Sequence, residues 1–182
     1  MKIKSRYSIV LAAVAFVAVA WTSCSTTPSV QRYIVDHENE AGFASFTVPA
    51  DVLQIQEGAD VDEESVEALN KLNNLVVLRY DIADGTPEQF EGYLAELHTC
   101  LNPDRYEDVF MMNTGEMRVS LKIQKKNQER LSEIIALLEQ NDSFLLARLT
   151  GDIEPDKLAR LIRKIDYQSM MDNEQLKGLI PS

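Results

Sequence analysis

Apolar residues along this chain fall into one solid block followed by segments of two periods. The block is Ile9–Trp21, thirteen apolar residues without interruption. Beyond residue 42 the spacing alternates between about two and about 3.6 residues, which marks strands and helices. Phe43-Ala44-Ser45-Phe46-Thr47-Val48, rich in aromatic and β-branched residues, predicts a first strand that Pro49 stops. Ala50–Glu57 suits a short helical piece, broken by Gly58. Asp60 and Glu63 stand at capping-box spacing ahead of Val66, Leu69 and Leu72, predicting a helix from about Val61 to Leu72. Leu75–Ile82 predicts a strand with Val76, Leu78, Tyr80 and Ile82 on one face.

The next helix carries the fullest set of local signals. Asp84-Gly85 makes a turn, Thr86 caps, Pro87 takes the first helical position and Gln89 completes a capping box. Phe90, Tyr93, Leu94, Leu97 and Leu101 then follow at helical spacing until Asn102-Pro103 ends the run. Tyr106–Asn113 reads as a strand, turned at Asn113-Thr114-Gly115. Met117, Val119, Leu121 and Ile123 alternate with Arg118, Ser120 and Lys122, which predicts a strand with its apolar row inside and its polar row outside. Gln124–Arg130 is a polar connection. Leu131–Glu139 is ambiguous: Leu131, Ile134, Ile135 and Leu138 have helical spacing, yet the stretch also suits a buried strand turned at Asn141-Asp142-Ser143 into Phe144–Thr150. Asp156–Ile165 predicts a last helix with Leu158, Leu161, Ile162 and Ile165 on its apolar face.

The N-terminal block reads as an address. A basic Met1–Arg6 precedes it and the polar Ser25-Thr26-Thr27-Pro28-Ser29 follows Cys24, the layout of a secretory signal. Thirteen residues fall short of the roughly 20 a spanning helix needs. Two cleavage readings compete. Ala18-Val19-Ala20 suits ordinary signal peptidase and would leave Trp21 first. Thr22-Ser23-Cys24 resembles a bacterial lipobox, with Trp21 departing from its usual aliphatic residue. The lipobox resemblance implies a thioether-linked diacylglycerol on Cys24, usually with a third acyl chain on its amine, and two or three chains make an effectively permanent anchor. Ser25–Glu40 then reads as a polar tether.

Charge narrows the partners. The chain has a net charge of −11, and loss of Met1–Ser23 would leave 15 basic against 29 acidic residues, a net −14. Such a surface repels nucleic-acid backbones and anionic headgroups, so no nucleic acid is expected and membrane attachment would come from lipid.

Candidate chemistry is sparse. Of the two cysteines, Cys24 is the lipidation candidate and Cys100 reads as a small buried hydrophobe. His37 falls in the tether and reads as solvated. His98 lies about 80° to one side of Phe90 and Cys100 about 80° to the other on a helical wheel, which excludes a dyad between them. Asp81–Gly85 reads as a turn and cap, since a calcium loop aligned on Gly85 would put Tyr80 and Ile82 at ligand positions. The Asp60, Asp62, Glu63 and Glu64 cluster reads as a solvated helix start. Met111-Met112 and Met170-Met171 read as core and tail residues, with an adaptable binding surface as the alternative. Metal-binding, phosphate-loop and nucleophile-elbow patterns do not occur.

The lipid-type signal, the lead-in Phe46-Thr47-Val48-Pro49, and above all Phe144-Leu145-Leu146-Ala147-Arg148-Leu149-Thr150-Gly151-Asp152-Ile153 running into Leu158-Ala159-Arg160-Leu161-Ile162 resemble a bacterial lipoprotein family, the domain-of-unknown-function 4252 family. The resemblance covers about Phe43–Ile165. It implies consecutive strands ahead of the Gly151-Asp152 junction and so favours strand over helix for Leu131–Glu139. The family usually has Asp where Glu154 stands and no proline at Pro155. It carries no established activity, so it assigns no functional residues and no cofactor.

The resulting expectations are a signal peptide over 1–23, a lipidated cysteine and tether over 24–42, one α+β domain over 43–166 and a tail over 167–182. The domain is expected to be a mainly antiparallel sheet of about five to six strands with three helices on one face. The functional expectation is a non-catalytic envelope module, membrane-anchored through Cys24 and binding an envelope protein. The alternatives are an accessory of envelope signalling to a transcription regulator and a hydrolase acting on envelope polymers.

Overall fold

The computed structural model describes residues 27–49 and 62–162. The signal segment, Cys24, Ala50–Glu57, Asp60 and the tail with Met170-Met171 lie outside the described residues. In chain order the elements are α1 (Val30–His37), β1 (Phe43–Pro49), α2 (Glu63–Asn70), β2 (Leu72–Asp81), a 3-10 turn (Ile82–Asp84), α3 (Pro87–Cys100), β3 (Glu107–Asn113), β4 (Arg118–Lys125), β5 (Leu131–Glu139), β6 (Ser143–Ile153) and α4 (Pro155–Ile162).

The fold is α+β. Six antiparallel strands lie in the order β1-β2-β6-β5-β4-β3. Strands β3 to β6 form a meander whose last strand pairs with β2, and β2 carries β1 on its other side. Helix α3 takes the chain from β2 in the sheet interior to β3 at the far edge. Leu131–Glu139 is a strand, as the family resemblance implies and its helical spacing does not.

The helices occupy both faces of the sheet rather than one. On the first face α1 and α3 cover Val76, Leu78 and Tyr80 of β2, Ile135 and Leu137 of β5, and Phe144 and Leu146 of β6. On the second face α2 and α4 pack through Ala68 and Leu158 against Val48, Leu75, Ile134 and Leu149. Local signals explain most helix starts. Thr86 and Gln89 form the reciprocal capping box of α3, with Pro87 at its first turn. Helix α2 begins later than its spacing suggests because Asp62 is the cap, its carboxylate accepting from Ser65 N–H at 2.7 Å. Ser65 and Ala68 turn inward, and Val66 stays 43 % exposed.

The stretch expected to be tether contains α1. Ser29 caps it by accepting from Arg32 N–H, and Val30, Tyr33, Ile34 and His37, spaced i, i+3, i+4 and i+7, are buried. The folded unit therefore begins near Ser29 rather than at Phe43. Tyr33 Oη donates to the Tyr93 carbonyl at 3.1 Å and ties α1 to α3.

Two features explain the Gly151-Asp152-Ile153 junction. A Cβ on Gly151 would lie 2.5 Å from the Lys71 carbonyl oxygen and 3.0 Å from Leu72 Cα, so only glycine lets β6 approach the start of β2. Asp152 N–H then donates to that Lys71 carbonyl at 2.9 Å, and Ile153 is buried. Around it, Lys71 and Lys157 bridge Glu67 and Glu154, while Arg130 reaches Glu154 at 2.8 Å and Arg160 reaches Glu64 at 2.6 Å. This network fastens α2 to α4.

Candidate interaction surface

His37 is a core residue, not a solvated one. Its ring stacks on Phe43 at 5.3 Å and meets Tyr33 and Tyr93 at 4.4 and 5.1 Å between centroids. Nδ1 lies 2.9 Å from Glu40 Oε2. Nε2 is 3.3 Å from Glu96 Oε2, an ion-pair distance without the alignment of a hydrogen bond. The hydrogen bond from His37 holds the Glu40 carboxyl below its ordinary range. The arrangement anchors the end of α1 against the aromatic cluster. Burial pushes the Tyr33 hydroxyl far above its ordinary value, so it remains a donor.

The other residues singled out in the sequence do not converge. Cys100 is buried, and desolvation raises its thiol pKa, the opposite of an activated nucleophile. The His98 side chain is 42 % exposed and reaches Glu139 at 3.1 Å. Asp81 accepts from Ala83 N–H and from Arg79, as a turn residue does. Asp62 caps α2 and Glu64 pairs with Arg160. Among the described residues no three His, Cys, Asp or Glu side chains gather as a metal site, and no helix is long and apolar enough to cross a membrane.

A polar row, buried at Tyr106 and Glu133, crosses the first face instead. Tyr106 Oη donates to Glu133 Oε2 at 2.9 Å, Arg148 donates through Nε to Glu133 Oε1 and through Nη1 to Gln31 at 2.5 Å. Glu133 is 5 % exposed. Burial raises the Tyr106 pKa, with the facing Glu133 carboxylate adding to it. This row links β5, β6, the approach to β3 and α1.

Among the described residues, an extended apolar surface lies at the β3 edge. Every residue of β3 is exposed. Six large apolar side chains are notably exposed among the described residues, and four are consecutive here: Val109 at 56 %, Phe110 at 49 %, Met111 at 62 % and Met112 at 39 %. On the second face Phe110 and Met112 stand beside Leu121 and Val119 of β4, which stand beside Ala136 and Leu138 of β5. The β4 pattern departs from expectation at Ser120, which is buried on the first face, while Val119, Leu121 and Ile123 on the second face are only partly covered, Ile123 against the second core cluster. Val109 is the extra residue of a bulge between Asp108 and Phe110. The two acids of β3 are balanced by β4, Lys122 meeting Asp108 at 2.5 Å and Lys125 meeting Glu107 at 2.6 Å.

Met111-Met112 therefore belongs to a surface rather than to the core. The available signal was the absence of alternation in Glu107-Asp108-Val109-Phe110-Met111-Met112-Asn113, which has four consecutive apolar residues. For His37 the signal was the Ser29 cap followed by apolar residues at helical spacing.

No curated protein matches the chain. The family described as Domain of unknown function (DUF4252) matches residues 37–161, from the buried His37 through all six strands and into α4. With more than two thirds of its length matched, the chain belongs to the DUF4252 family.

Proposed function

We propose that this protein is a lipid-anchored envelope module without catalytic function, which holds a partner at the free edge of its sheet. The observation that carries the reading is the β3 edge, with Val109, Phe110, Met111 and Met112 exposed together. An edge strand presents a row of unpaired main-chain groups, and natural proteins blunt it with charges, proline, bulges or a cover. Here β3 contains neither lysine nor proline, and its two acids and its bulge are confined to Glu107–Val109, ahead of Phe110–Asn113. Such an edge accepts an extended segment by strand addition, with main-chain hydrogen bonds for affinity and alternate side chains for selectivity. The lipobox resemblance at Cys24 supplies the anchor.

Crosslinking in intact membranes tests both halves. The full chain is expected to trap a protein neighbour, and Phe110→Asp with Met112→Asp to abolish the product without loss of folding. Cys24→Ala is expected to remove lipid labelling and release the protein from membranes. Products unaffected by the β3 substitutions would refute the docking edge. Labelling that survives Cys24→Ala would refute the anchor.

A further inference from the structure

We infer that the partner strand at the β3 edge is β3 of a second copy, paired antiparallel about a two-fold axis at Met111. This rests on the docking edge proposed above and names its occupant.

The strand is self-complementary downstream of its bulge. With Met111 opposite itself, Phe110 lies opposite Met112 of the second copy. Residues Phe110–Asn113 alternate regularly, so both Phe110–Met112 pairs fall on the second face and both Met111 side chains on the first. Each pair places a sulfur against an aromatic ring, a favourable contact. The row Leu138, Val119, Met112 of one copy then continues into Phe110, Leu121, Ala136 of the other. The exposed apolar band becomes one surface across both sheets.

Charge permits the approach although each copy is acidic. Glu107 and Asp108 are already balanced by Lys125 and Lys122. Beside Asn113 on β4 stands Arg118, exposed and without an ion-pair partner among the described residues. The two-fold brings the Asp108 end of the second copy to this Arg118 end, twice.

The buried area indicates where pairing occurs. At ~200 Å² per large side chain, exposures of 39–62 % leave about 400 Å² on each β3. Two copies supply about 800 Å², below the roughly 1,200–2,000 Å² of a stable soluble complex. Association is therefore weak in dilute solution and is gained by confinement, since tethering to one surface raises the effective concentration.

A single cysteine on the axis tests the arrangement. Directly opposed residues in an antiparallel pair have Cα atoms about 4.5–5.5 Å apart, within disulfide range. Met111→Cys in the full chain, in native membranes under mild oxidation, is expected to form a disulfide-linked dimer. Its rate is expected to exceed that of Val35→Cys, an exposed position on α1, by on the order of tenfold or more. Adding Met112→Lys is expected to lower the Met111→Cys rate to that of Val35→Cys, with the far-ultraviolet spectrum unchanged. Equal rates at the two positions would overturn the inference. So would linkage of Met111→Cys only to a different protein, which would leave the docking reading intact. Protection of Met111→Cys from aqueous thiol reagents without any dimer would mean a lipid-facing edge and would overturn both.

Discussion

The buried ion pair between Glu133 and Arg148 allows the sharpest test of the fold, through Arg148→Met. The substitution keeps an apolar stem of similar length but leaves Glu133, 5 % exposed, with Tyr106 Oη as its remaining side-chain partner. Breaking a buried pair from one side typically costs about 3–5 kcal/mol, because an uncompensated charge stays inside. Arg148 also releases Gln31, on α1, whose oxygen it holds at 2.5 Å. For a domain of this size each kcal/mol lowers Tm by about 3–5 °C, so Arg148→Met is expected to lower Tm by about 10–20 °C. Tyr106→Phe removes one hydrogen bond to a carboxylate and is expected to cost about 1.5–3 kcal/mol. The double change Glu133→Leu with Arg148→Met is expected to cost less than Arg148→Met alone, since no charge remains buried. Urea unfolding followed by circular dichroism measures all three. A cost below about 1 kcal/mol for Arg148→Met, or a double variant as costly as the sum of its singles, would refute the reasoning.

Further outcomes follow from other sites. Gly151→Ala is expected to destabilise by about 1–3 kcal/mol, because the new methyl meets main-chain atoms of Lys71 and Leu72; a urea midpoint at the parent value would contradict it. Thr86→Ala is expected to cost about 1 kcal/mol and to speed amide exchange in the first turn of α3. Hydrogen bonds from Lys71 and Lys157 lower Glu67 to about 2. A carboxyl depressed by folding stabilises above its unfolded value and loses that stabilisation as pH falls. Acid titration of Glu67→Gln should therefore converge on the parent between about pH 4.5 and 2. Cys100, buried with its thiol pKa raised, should react with an aromatic disulfide reagent only as fast as the domain opens. Immediate stoichiometric labelling in the native state would refute that.

What could be read from the sequence depended on how local the cause was. Helix α3 was legible because Thr86, Pro87, Gln89 and its apolar stripe act within a few residues of one another. The Asn113-Thr114-Gly115 turn was legible for the same reason, since Gly115 takes a positive φ of 89°. Strand β5 was disguised. Its buried positions are Leu131, Glu133, Ile135, Leu137 and Glu139, and the two glutamates are buried through Arg148, Tyr106 and His98 from elsewhere in the chain. His37 reads as solvated until Phe43 and Tyr93 are brought around it. The exposure of Met111 and Met112 follows from strand order, because the same residues in an interior strand would be core. No pattern along one chain states which strand ends a sheet.

The early start of the folded unit has a mechanical corollary. If Cys24 carries acyl chains, only Ser25–Thr27 and Pro28 separate it from the helix cap at Ser29. Fully stretched, that span reaches at most ~18 Å, about twice the screening distance of ~8 Å at physiological salt. A body with net charge −14 would thus be pushed off anionic headgroups toward the far end of a leash just long enough to clear most of their field. Its height above the bilayer becomes a function of ionic strength, and any force on the leash is delivered straight to the helix that ends at His37.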